Sequence, residues 1–158
     1  RGNSIPFKGD VESLNNFFTS VGKQIQDSIP IGKKTKEDYL QNTLTWKPIT
    51  EKEIEERIRK MDWGKTTAED GVSVSFLKNY KSLVSSVLAY IFNLCLQEGY
   101  FPKVLKKATI TPIYKGQGSA EEAGNFRPIS ILSNVAKLFE KCIYIRLVEY
   151  LNKEHFFY

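Results

Sequence analysis

Apolar positions recur at helical spacing from the tenth residue onward. Val11, Leu14, Phe18, Val21 and Ile25 fall three or four apart and form one stripe. Asp10 stands before the stripe as an N-cap, and Glu12 favours the first turn. Pro30 and Gly32 end the segment. Lys33 to Lys47 is polar without a clear period and reads as a linker. A second helix opens at Thr50, with Glu53 at the capping-box spacing. Its apolar edge is thin, made of Ile54, Ile58 and Met61, and Gly64 stops it. Glu51, Glu53, Glu55 and Glu56 are expected to form its solvated face.

The longest periodic stretch runs from Ser73 to Gln97 and predicts one helix central to the core. Phe76, Leu77, Tyr80, Val84, Val87, Leu88, Ile91, Phe92 and Cys95 give it a wide apolar face. Gly99 fits the residue after its C-cap, and Pro102 follows. The period then changes. Ala108 to Lys115 is rich in β-branched residues and alternates, and Phe126 to Leu132 reads as a second strand. Pro112 removes one ladder donor. A flexible loop punctuated by Gly116, Gly118, Ser119 and Gly124 joins the strands as a β-hairpin. A last helix starts near Ser133 or Asn134, with Val135, Leu138, Phe139, Cys142, Ile143, Arg146 and Leu147 along its stripe. The expected fold is α+β, mostly α-helical with one late antiparallel hairpin.

Composition is that of a folded chain, with 41% hydrophobic and 26% charged residues among 158. No apolar run approaches the ~20 residues of a membrane span, and no signal-peptide pattern opens the chain. The expectation is an intracellular location, nucleus or cytoplasm, with no secretion and no membrane partner. Cys95 and Cys142 lie far apart in apolar stretches, which fits a reduced compartment. With His155 they make no zinc-ligand spacing.

The net charge of +5 is unevenly placed. Residues 101–158 carry nine basic and five acidic groups, and four lysines fall between Lys103 and Lys115 without an acid. Such asymmetry points to an anionic partner, against the simpler reading of a solvated face. No P-loop, Rossmann glycine pattern or paired-carboxylate site is present. The chemistry-bearing feature left is the hairpin. Lys115 ends the first strand and Arg127 begins the second, so pairing brings two cations together, with Lys106 and Lys107 at the other end. Two adjacent cations suit a triphosphate or a nucleic-acid backbone. The competing reading pairs Arg127 with Glu121 or Glu122.

Several short segments appear in a telling order. They are Lys65-Thr-Thr-Ala-Glu-Asp-Gly71, Ile91-Phe-Asn93, Gly99-Tyr-Phe-Pro102, Lys106 to Lys115, Asn125-Phe-Arg-Pro-Ile-Ser130, Lys137-Leu-Phe-Glu140 and Arg146-Leu147. From about Trp46 onward the chain resembles the front part of a reverse transcriptase of a non-LTR (LINE) retrotransposon, of the jockey-like type. Each segment alone is weak, and their shared order is what makes the resemblance specific.

That resemblance implies the fingers subdomain of an RNA-directed DNA polymerase. It divides the chain into an N-terminal helix and linker over 1–45 and a partial polymerase domain over 46–158, truncated before the palm. It implies that Lys115 and Arg127 face the triphosphate of the incoming nucleotide and that Lys65, Lys106 and Lys107 approach the template. Asp70 and Gly71 fall in the family's fingertip segment, and as a local reading Asp70 is a helix N-cap with Gly71 supplying the turn. Ala68-Glu69, Leu105 and Phe126 depart from the Gly-Pro, Trp and Tyr common in the family.

The family's catalytic aspartates lie downstream, so the resemblance implies no catalytic and no metal-binding residue here. Mg²⁺, RNA template, DNA primer and deoxynucleotide belong to the complete polymerase, whose palm would cover apolar surface left bare here. The stripe ending Phe156-Phe157-Tyr158 is the expected bare patch. The alternative is a retrotransposon-derived module that binds nucleic acid or a partner without catalysis.

Overall fold

The computed structural model describes residues 5–30, 44–62, 68 and 70–156. Among the described residues five α-helices and two strands follow one another: α1 (Val11–Ser28), α2 (Glu51–Lys60), α3 (Val74–Asn79), α4 (Lys81–Gln97), β1 (Ala108–Tyr114), β2 (Phe126–Leu132) and α5 (Asn134–Lys153). Short 3₁₀ turns at Lys103–Lys106 and Ala123–Asn125 precede the two strands. The strands form a two-stranded sheet, so the architecture is α+β as the sequence pattern predicts. No helix among the described residues is long and apolar enough to cross a membrane.

Two compact units share the chain, one from Arg1–Asp38 with Ile110–Ser130, the other from Tyr39–Thr109 with Ile131–Tyr158. In the first, α1 begins where Asp10 accepts a hydrogen bond from the Ser13 N–H at 2.8 Å. Only Leu14 of its apolar stripe is buried, while Val11 and Ile25 are exposed. The hairpin register follows from Lys115, whose N–H donates to the Asn125 carbonyl at 2.8 Å. Side chains alternate across a ladder, so Ile110, Pro112, Tyr114, Phe126, Pro128 and Ser130 share one face. Rings of Tyr114 and Phe126 meet at 5.3 Å on that face, and Phe7 packs edge-on to Phe126 at 5.2 Å.

The second unit holds the main core, where Ile54 and Ile58 of α2, Leu77 of α3, Phe92 and Cys95 of α4, and Leu138, Phe139 and Cys142 of α5 converge. Phe139 stacks between Phe92 at 4.4 Å and Phe101 at 5.2 Å. Asn93 fixes the approach to α2 by bonding both backbone groups of Ile49, at 2.7 and 2.8 Å. Ser133 caps α5 through the N–H groups of Val135 and Ala136.

Four expectations change. The stretch from Ser73 to Gln97 is two helices, because Tyr80 leaves the helical region at φ −112°, ψ 23°. Asn79 and Tyr80 are both weak helix formers, so a break there costs little. The N-cap of α3 is Ser73, whose hydroxyl accepts from the Phe76 N–H, so Asp70 is not the cap. Glu53 is not a solvated side chain. Its carboxylate takes two hydrogen bonds from Arg146, whose other N–H groups reach the carbonyls of Lys47, Pro48 and Cys142. That pair holds Glu53 below the usual carboxylate range, chiefly through the hydrogen bond from Arg146.

The wide apolar face of Ser73–Gln97 is only partly core. Ala89, Phe92 and Cys95 are buried, whereas Phe76, Tyr80, Leu83, Val87, Tyr90, Ile91 and Leu94 are exposed. A bare apolar stripe thus lies on α4. α5 turns Ala136, Leu138, Phe139 and Cys142 inward but leaves Tyr144 and Leu147 exposed; Phe156 beyond its end is exposed too, and Phe157 and Tyr158 lie outside the described residues.

Candidate nucleotide and nucleic-acid interface

The loop between β1 and β2 is stitched by its own side chains. Gly116 and Gly118 take φ of 87° and 82°, a region that L-residues adopt at a cost. The Tyr114 hydroxyl donates to the Gly118 carbonyl. The Asn125 amide donates to the Ser119 carbonyl and to the Glu122 carboxylate, each at 3.0 Å. Lys115 donates its ammonium to the Gly124 carbonyl at 2.5 Å. The expected flexible loop is therefore a closed one. Sequence reasoning overlooked Tyr114 and Asn125 as its organisers. The available signal was their position, an aromatic at the last strand residue and an Asn just before the second strand.

Across the ladder Arg127 stands opposite Ile113, and Lys115 is its diagonal neighbour on the same face. Both cations are exposed, as are Ile113 and Ile129 on that face. Among the described residues no ion pair joins Arg127 to Glu121 or Glu122, and Glu122 is engaged by Asn125. One of three ammonium donors of Lys115 is used internally, which leaves two, and the Arg127 fork has five. Such a pair can bind a phosphate chain by charge and bidentate geometry.

Lys106, Lys107, Asp70 and Gly71 lie in the second unit. Lys106 ends the 3₁₀ turn and Lys107 leads into β1, both exposed. Lys107 lines a crevice of about 200 Å³ with Asp70, Val104, Thr109, Ile131 and Ser133. The Asp70 carboxylate accepts from the Val72 N–H at 3.2 Å, an Asx turn, and Gly71 supplies the positive φ of 71°. Lys65 lies outside the described residues. Among the described residues there is no group of three or more His, Cys, Asp or Glu that could hold a metal ion.

Known proteins supply the context for these cations. A probable RNA-directed DNA polymerase from transposon BS of Drosophila melanogaster is 36% identical over 134 residues, 85% of this chain. The chain is a homologue of the RNA-directed DNA polymerases of jockey-like non-LTR transposons. The polymerase from mobile element jockey of the same fly is 31% identical over 71% of the chain, and that from its X-element is 27% identical over 73%. The chain spans 13 to 14% of the length of these relatives. No protein-family model matches it.

Proposed function

We propose that this homologue is the fingers portion of an RNA-directed DNA polymerase of a non-LTR retrotransposon. Lys115 and Arg127 bind the triphosphate of the incoming deoxynucleotide, Arg127 as a fork and Lys115 as a point charge. Charge on the phosphates rises as the leaving group departs, and fixed cations offset it. Lys65, Lys106 and Lys107 contact the phosphates of the template. RNA template, DNA primer and deoxynucleotide are partners of the complete polymerase, which works inside the cell. Mg²⁺ is held there by palm carboxylates, so this chain alone supplies a binding surface and no catalysis.

The observation that carries this reading is the pair Lys115 and Arg127 on one exposed hairpin face, with no ion pair to a carboxylate among the described residues. The test is binding of a fluorescent deoxynucleoside triphosphate by the 158-residue chain, followed by anisotropy across a salt series. Binding is expected to be weak and to fall with salt. Lys115→Ala with Arg127→Ala is expected to weaken it. Unchanged binding in the double variant counts against the assignment of these cations. Primer extension with Mg²⁺ is expected to give no product, and product from this chain would overturn the non-catalytic part of the proposal.

A further inference from the structure

Helix α4 is apolar on both sides. Ser85, Ala89, Phe92 and Cys95 face the core, and Leu83, Val87, Tyr90 and Leu94 face out at 69, 52, 70 and 44% exposure. A helix apolar all round is normally covered all round. No charged residue lies between Lys81 and Glu98, so nothing in the stripe resists burial. Phe76, Tyr80 and Ile91 extend it.

We propose that this stripe pairs with the same stripe of a second copy of the chain, the two α4 helices antiparallel about a two-fold axis. The spacing carries the choice of occupant. Leu83, Val87, Tyr90 and Leu94 are separated by four, three and four residues, a pattern that reads the same from either end. An isologous contact requires such self-complementarity. About a centre between Leu88 and Ala89, Val87 faces Tyr90 of the second copy and Leu83 faces its Leu94. The four residues are alternate core positions of a heptad, and an antiparallel pair meets in those layers. A small side chain opposite a large one fills the middle layers evenly. Charge agrees, because antiparallel pairing sets the Lys81 end beside the Glu98 end of the other copy, whereas parallel pairing sets like ends together.

Sedimentation equilibrium of the 158-residue chain tests the proposal. A dimer with a dissociation constant in the micromolar range, roughly 1–100 µM, is expected. Leu83→Glu with Tyr90→Glu is expected to weaken it at least about 100-fold with unchanged circular dichroism, since both residues are at the surface. As a second measurement, chains carrying Val87→Cys mixed with chains carrying Tyr90→Cys should cross-link to each other faster than Val87→Cys chains to themselves. A wild-type chain that stays monomeric overturns the pairing and leaves the stripe to another part of a longer polypeptide. Open-ended association, or cross-linking without that preference, overturns the two-fold geometry.

Discussion

The Arg146 guanidinium grips the Glu53 carboxylate through two parallel hydrogen bonds, 2.9 Å from Nη1 and 2.8 Å from Nη2. Ninety-three residues separate the two in sequence. The same guanidinium reaches the Lys47 and Pro48 carbonyls, so one side chain ties the segment before α2, α2 itself and α5.

Removing the arginine should therefore cost more than a surface ion pair. Arg146→Ala leaves two backbone carbonyls without donors, and a half-buried carboxylate with Arg57, 3.5 Å away, as its remaining cationic partner. A loss of about 2–4 kcal/mol is expected in urea denaturation, between the values for surface and fully buried pairs. Arg146→Lys should recover only part of it, because an ammonium cannot make the fork. A variant within 0.5 kcal/mol or so of wild type would mean that the pair is not a keystone.

The same contact sets an acid limb. Glu53 has its folded pKa lowered, first by the hydrogen bond from Arg146. A depressed carboxylate contributes stability above its unfolded pKa, about 4.3, and loses it as pH falls through the lower folded value. Stability should thus decline below about pH 4, and Glu53→Gln should flatten that decline. Equal acid limbs in the two proteins, followed by urea midpoint, would contradict the assignment.

Ser85 is fully buried, and among the described residues its hydroxyl has no hydrogen-bond partner. An unmade hydrogen bond costs about 1–3 kcal/mol. Ser85→Ala is expected to raise the thermal midpoint, equivalent to about 1 kcal/mol. A lowered midpoint would show that the hydroxyl is satisfied in solution.

Gly118 combines a φ of 82° with close packing, since an added Cβ would lie 2.3 Å from the Asn125 amide nitrogen. Gly118→Ala should displace Asn125 and open the loop that holds Lys115. Amide exchange over residues 115–125 reads this directly, and protection equal to wild type would refute it. The global cost should stay near 1–2 kcal/mol, because the loop is at the surface.

Burial lifts the Cys142 thiol to about 11, and the nearby Glu53 charge adds to the effect. Alkylation at pH 8 should be slow in the native protein and fast in urea. Rapid native labelling at Cys142 would place it outside the core.

Local chemistry determined much of this protein. Asp10, Thr50 and Ser133 cap their helices through short-range hydrogen bonds. Gly99 ends α4 with a φ of 60°, and the Tyr100 N–H then reaches the Cys95 carbonyl at 2.9 Å. Both strands appear where β-branched residues alternate, because these signals act within a few residues. That strand pairing brings Lys115 and Arg127 near each other was also legible, whereas their sharing one face depends on the register that Lys115 and Asn125 set. Tertiary structure alone decided the rest. Periodicity counts apolar positions without naming their neighbours, so it could not tell the buried side of α4 from the bare one. Nor could a charge pattern on α2 reveal that Glu53 meets an arginine on α5, because that contact exists only once both helices pack on a common core.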